Sequence, residues 1–252
     1  MRERKRILQA FFSARSLERV AMAGISTVAI IVLFALLSPI AFAQTQPAER
    51  FVVLLDPAHG GTDSGARLDS ETEKAYTLAF SVRLRSLLMA RGIDVVITRD
   101  SDATVDPSQR AAVADHVHAQ ACLSLHASES GSGVHIFVSS LAPVQQNSML
   151  PWKTAQAAWI ERSTALAGVI NSALAHAGTT VTLGRIALPA IDSMTCPAVA
   201  VEIAPGQSSD NSGATSLDSP DYQSRVADAL AAALLEWRSE DWRSGDRGGR
   251  QP

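Results

Sequence analysis

Cysteine is scarce in this chain, and the scarcity excludes a good deal. Only two occur in 252 residues, Cys122 and Cys196, with no C-x-x-C pair, so a structural zinc site built from sulfur is ruled out. Each stands early in an apolar run, and two small buried core residues are expected there, although a disulfide is permitted in an exported chain. Neither a G-x-G-x-x-G fingerprint nor a P-loop Lys-Ser/Thr is present, so the glycine pair Gly60-Gly61 has no accompanying phosphate-binding signature. Internal repeats and low-complexity domains are also lacking.

Charge is missing where it matters for targeting. Between Val20 and Ala43 there is none, and the segment closes on Ala41-Phe42-Ala43. Before it, residues 1–19 hold six of the 22 basic side chains and two of the 25 acidic ones. A basic start, an apolar stretch and an A-x-A site describe an export signal. Cleavage after Ala43 is expected, the alternative being an inner-membrane anchor through residues 20–43, because Val20 to Leu37 is just long enough to span a bilayer. The basic end then stays cytoplasmic and the rest is exported, to the periplasm or elsewhere in the cell envelope. The exported part carries 16 basic against 23 acidic residues, a net charge of −7. Such a balance argues against nucleic-acid binding, which needs a basic face.

About 209 residues remain beyond Ala43, enough for one domain with a full core. After a short polar linker, 44–50, the run Phe51 to Asp56 has the continuous apolar character of a strand buried on both faces. Glu73 to Arg91 spaces Tyr76, Phe80, Leu84, Leu87 and Leu88 along one helical stripe ended by Gly92. Asp94 to Thr98 is a second strand. Asp106-Pro107-Ser108-Gln109 combines an N-cap, a proline at N1 and a capping-box glutamine, which opens a helix toward His118. Further strands are expected at 121–125, 134–139 and 198–203, with a mostly helical stretch at 151–176. Ser219-Pro220 opens a last helix, and a tail without order is expected over 239–252. Strands alternating with helices predict an α/β fold: a mainly parallel twisted sheet of about six strands, helices on both faces, in a single domain over 51–238.

In such sheets ligands bind beyond the carboxyl ends of the strands. His59, in Asp56-Pro57-Ala58-His59-Gly60-Gly61, His126, in Ser124-Leu125-His126-Ala127-Ser128, and Glu202, in Val201-Glu202-Ile203, all stand at such ends. A catalytic zinc takes three His or carboxylate ligands and keeps a fourth position for water. His59 and His126 supply two, and Asp63, Asp69, Glu71 and Glu73 compete for the third. Glu202, in an otherwise apolar strand, suits a general base. The plainer readings are a turn histidine for His59, a hydrogen-bonded core histidine for His126 and a structural ion pair of Glu202 with Arg185. His116, His118, His135 and His176 read as helix-face, strand or surface residues.

From about Phe51 to Trp237 the chain resembles the zinc-dependent N-acetylmuramoyl-L-alanine amidases of the cell-division and sporulation wall hydrolases. The matching pieces are Asp56 to Gly61 with Asp63 and Gly65-Ala66, Glu73-Lys74 with Leu78, Thr98-Arg99-Asp100, Arg110, Ser124 to Ala127, Gly133-Val134, and Pro197-Ala198 with Val201-Glu202. The resemblance implies His59, Glu73 and His126 as ligands of Zn2+ and Glu202 as the catalytic carboxylate. It implies peptidoglycan as the partner and hydrolysis of the bond joining muramic acid to L-alanine; the sequence names no activator protein. Three positions depart from the usual pattern: Ala58 for glycine, Ser128 for asparagine and Ala204-Pro205 for Gly-Phe. Relatives regulated by partner proteins carry a long insertion with a zinc-blocking helix; here the corresponding region, from Ser140 to about Ile160, is short, so no such plug is expected.

Overall fold

A computed structural model of the chain describes residues 50–145, 149–207 and 214–248. The leader expected over 1–43 lies outside the described residues, as does most of the linker. Among those described, no helix is long and apolar enough to cross a membrane.

Six strands form one sheet in the order β2-β1-β3-β6-β4-β5: β1 Val52–Pro57, β2 Asp94–Ile97, β3 Ala121–Ala127, β4 Val134–Ser139, β5 Val181–Ile186 and β6 Ala198–Ile203. The β1–β2, β1–β3, β3–β6 and β4–β5 pairs are parallel, whereas β4 runs antiparallel to β6. A small hairpin of β7 Gly206–Gln207 and β8 Ala214–Thr215 lies beyond β6 in the chain. The edge strand β5 had no clear signature, because Val-Thr-Leu-Gly-Arg-Ile is neither continuously apolar nor cleanly alternating. Its Gly184 is needed where it is: a Cβ there would come within 2.9 Å of the Phe137 ring.

The strand side chains divide onto two faces. On one, Val53, Leu55, Leu123, Leu125, Val199 and Val201 meet three helices: α1 Glu73–Ala90, α3 Ile160–His176 and α4 Pro220–Gly248. The α1 stripe buries Tyr76, Phe80, Leu84 and Leu88 as its spacing predicted, and Gly92, with φ 73°, ends it. Leu54, Cys122, Ala198 and Ala200 line the other face under α2, Pro107–His116, and the segment 188–196. The capping box of α2 is complete, with both Asp106–Gln109 hydrogen bonds formed. A 3-10 turn, Trp152–Ala158, is pinned to the same segment through Gln156, which donates to the Met194 and Cys196 carbonyls.

One expectation is corrected. The cysteines are not separate core residues: Cys122 and Cys196 form a disulfide, with Cα atoms 6.3 Å apart. Both belong to the second, smaller core, and the pairing of β3 with β6 brings them together, Cys122 N–H donating to the Pro197 carbonyl. That proximity is created by the sheet and has no local trace 74 residues apart. The last helix, α4, spans Pro220–Gly248.

Candidate active site

The site is built from the carboxyl end of β1 outward. Asp56, buried within the strand, accepts hydrogen bonds from Thr98 Oγ1 at 2.6 Å, from Ser124 Oγ at 2.9 Å and from the Arg110 guanidinium. Arg110 also donates to the carbonyls of Pro57 (2.9 Å), His59 (2.8 Å) and Val105 (3.0 Å). Arg99 reaches the carbonyls of Pro57 and Ala58 from the other side. Its own pKa is lowered by burial and then by the neighbouring Arg110 charge. Two guanidinium groups therefore grip the backbone that leads into His59. That grip is needed because His59 has φ 62°, a left-handed conformation that costs a non-glycine residue on the order of 1–3 kcal/mol. Asp102 completes the cradle, accepting from Gly61 N–H and from Lys74 Nζ, both at 2.7 Å.

His59 is thus turned toward the amino end of α1. Its Nδ1 meets Asp63 Oδ2 at 2.8 Å and its Nε2 meets Glu73 Oε2 at 3.0 Å. The other Glu73 oxygen, Oε1, lies 2.9 Å from His126 Nδ1 on β3. Backbone N–H groups of Ala66 and Ala127 donate to the same carboxylate. The two imidazole rings stand 5.5 Å apart and nearly perpendicular. One ligand-type atom from each of His59, Glu73 and His126 lies within 4.8 Å of the others, a group that could hold a metal ion. Among the four competing acids, the fold brings only Glu73 between the histidines. Asp63 stands behind His59, Asp69 meets Glu129 through its backbone N–H, and burial raises the pKa of Glu71.

Burial pushes the Glu73 carboxyl up, but the hydrogen bonds from His126, His59 and Ala66 together outweigh it and leave the group well below the usual carboxylate range. His59 moves the other way. Its hydrogen bond to Glu73 raises its pKa above 6.5, against the opposing effect of burial and with further help from Asp63. The turn itself allows no extra atom. A Cβ on Gly65, whose φ is +64°, would come within 2.6 Å of both Glu73 Oε2 and the His59 ring. Gly65→Ala is therefore expected to spread the pair and lower divalent-metal affinity by about 10- to 100-fold, measurable by titration calorimetry; unchanged affinity would show the turn to be irrelevant.

Glu202 stands on β6 opposite His126 of β3 in the sheet register. Arg185 is not its partner, since that guanidinium donates to the Ser139 and Leu141 carbonyls. Instead Glu202 Oε1 lies 3.0 Å from Nδ1 of His135. Sequence reasoning passed over His135, because its place depends on β4 running antiparallel and no local pattern announces that. The unusual Ala204-Pro205 is built into a joint: Ala204 N–H donates to the Gly133 carbonyl and Gly133 N–H to that of Pro205, each at 2.8 Å.

Residues 53–236 match the family described as N-acetylmuramoyl-L-alanine amidase. The chain belongs to that amidase family. It is 27% identical over 214 residues to the germination-specific N-acetylmuramoyl-L-alanine amidase of Bacillus subtilis, covering 77% of this chain and 82% of that protein. To the amidase AmiA of Escherichia coli it is 39% identical over 77 residues, which is 30% of this chain and 27% of that one. Among solved structures, the catalytic domain of CwlV from Bacillus (Paenibacillus) polymyxa superposes with a TM-score of 0.57 at 25% identity, over 75% of this chain and 98% of that one. The CwlD amidase of Clostridioides difficile, solved in complex with the GerS lipoprotein, shares the fold with a TM-score of 0.58 at 18% identity, over 75% and 99%. This is a peptidoglycan amidase by family, with its His-Glu-His group at the carboxyl edge of the sheet.

Proposed function

We propose that this amidase is a zinc hydrolase, exported to the cell envelope, that cuts the amide between the lactyl group of N-acetylmuramic acid and the L-alanine of the stem peptide. The observation that carries the reading is the convergence of His59, Glu73 and His126, with neighbouring ligand atoms 3.0 and 2.9 Å apart. One ligand-type atom from each of the three lies within 4.8 Å of the others, and the two short contacts use different Glu73 oxygens, so these donors would have to draw together to hold one zinc ion. Two histidines and a carboxylate are a known catalytic zinc set, and Asp63 behind His59 orients the imidazole as outer partners of metal-bound histidines do.

Zinc, when bound, polarises the scissile carbonyl and makes a water molecule more acidic. The chain's own part is to hold Glu202 at the rim of that centre. Its carboxylate takes a proton from the attacking water and returns it to the alanine amine as the C–N bond breaks. The oxidised cysteine pair agrees with export. Peptidoglycan is the proposed partner, with the membrane as a second if residues 20–43 are retained as an anchor.

The deciding experiment is mass spectrometry of purified peptidoglycan after incubation with the protein, with zinc and with chelator. Free stem peptides beginning at L-alanine, lost with chelator, are expected. Intact wall in both conditions would instead favour an amidase-fold module that binds without cutting.

The site's proton balance gives a second test. In the metal-free protein the raised His59 adds stability that is full below its unfolded value of 6.5 and lost as pH rises through its folded value. The lowered Glu73 adds stability above its unfolded value of 4.5 and loses it as pH falls through its folded one. The pair therefore supports the metal-free fold best between those two values. Zinc binding, in contrast, requires His59 without its proton. The rise in Tm on adding zinc is expected to be larger at about pH 8 than at about pH 5.5; an equal rise at both would remove His59 from the ligand set.

A further inference from the structure

Glu202 has neighbours on both sides in the sheet. Parallel β3 sets His126 opposite it, and antiparallel β4 sets His135 opposite it. Residues in register on adjacent strands point to the same face, so His126, Glu202 and His135 form one row across three strands. The row exists because β4 is reversed. In an all-parallel sheet every strand would offer its carboxyl end to the site, whereas here β4 offers its second residue.

His135 is held on several sides. Its Nδ1 meets Glu202 Oε1 at 3.0 Å, with the His135 side chain 18% and that of Glu202 31% exposed. The far edge of the ring lies against the backbone of Gly131, where φ is +88° and a Cβ would come within 2.5 Å of Cε1 and 3.0 Å of Nε2. Phe137, two residues along the same strand face, stands edge-on with ring centroids 6.3 Å apart. Phe137 is seated in turn over Gly184 of β5. The clamp leaves Nδ1 as the atom presented to the carboxylate, and a carboxylate only accepts, so the proton belongs on Nδ1.

We propose that His135 is a positioning residue for the amidase reaction: by donating from Nδ1 to Glu202 Oε1, it fixes the carboxylate plane and reserves Oε2 for the proton that moves between water and the leaving amine. Among the described residues no hydrogen bond takes up Oε2. A glutamate fixed at one oxygen has already lost the side-chain rotation that would otherwise be lost on reaching the transition state. Small misplacements of a reacting group cost large factors in rate. The inference rests on the reading of Glu202 as the group that moves the proton. An ordinary cross-strand pair, stabilising the sheet and nothing else, is the competing account.

Three substitutions separate the two. His135→Phe keeps a ring and loses the donor. His135→Asn places an amide N–H where Nδ1 was. His135→Gln places it one carbon further out. With bound zinc and Tm recorded for each, H135F is expected to lower kcat by about 10- to 100-fold with KM within about twofold, and H135N to recover most of the loss. If H135F does not fold, the comparison rests on H135N exceeding H135Q in kcat by about fivefold or more. A kcat for H135F within twofold of the parent, or H135N no faster than H135F or H135Q, overturns the proposal. Glu202→Gln, assayed alongside, distinguishes the two levels: an inactive E202Q beside a fully active H135F overturns only the positioning role, while an active E202Q overturns the base assignment and this inference together.

Discussion

Replacing Asp56 by alanine is expected to cost the folded protein about 3–5 kcal/mol, the range for removing one partner of a buried ion pair. Asp56 is 1% exposed and Arg110 6%, so the guanidinium left behind would have carbonyl acceptors but no counter-charge. The hydroxyls of Thr98 and Ser124 would lose their acceptor as well. Urea unfolding in the presence of chelator measures this without a contribution from metal. A loss below about 1 kcal/mol, the level of an exposed pair, would show that water reaches the site. The double replacement Asp56→Ala with Arg110→Met should recover much of the stability, because apolar side chains often substitute for buried ion pairs at little cost. Metal affinity should fall in the double replacement, since the His59 carbonyl then loses the Arg110 donor that Asp56→Ala alone leaves in place. Metal affinity at the parent level in the double replacement would mean that the clamp has no part in setting His59.

Glu202→Gln is expected to lower kcat by about 100- to 10,000-fold, the usual worth of a positioned acid–base group, while zinc content stays at the parent level. Glutamine keeps nearly the same shape on β6 and loses only the ability to take a proton. Loss of zinc in this variant would make Glu202 a ligand, and retained turnover would place the base elsewhere. The neighbouring register makes the expectation specific, because Glu202 faces the His126 strand on one side and His135 on the other.

Local chemistry made much of this site legible from the chain alone. The apolar run into Asp56 and the Gly-rich turn after it announce a strand end carrying His59, and Ser124 to Ser128 does the same for His126. The stripe on α1 and the capping box on α2 are written within single turns of helix. What escaped depends on residues far apart in the chain. Composition could not choose Glu73 over Asp63, Asp69 or Glu71, because the choice turns on how the amino end of α1 is set against the end of β3; family resemblance supplied it. The pair of His135 with Glu202 needs the reversed direction of β4. The disulfide needs β3 and β6 side by side. The edge strand β5, with its mixed Val181–Ile186, acquires strand character only from its neighbour β4.

The bridge between Cys122 and Cys196 closes a loop of 74 residues and joins the first half of β3 to the lead-in of β6, the two strands that carry His126 and Glu202. A loop of that length is worth about 4 kcal/mol by the chain-entropy relation. In a reducing cytoplasm the same chain holds two thiols and goes without that constraint. On the proposed export route the amidase would therefore be at its weakest while still inside the cell that made it, and would reach full strength only on the side of the membrane where its substrate lies. Oxidation would then act as a clock for maturation, set by compartment and needing no inhibitor.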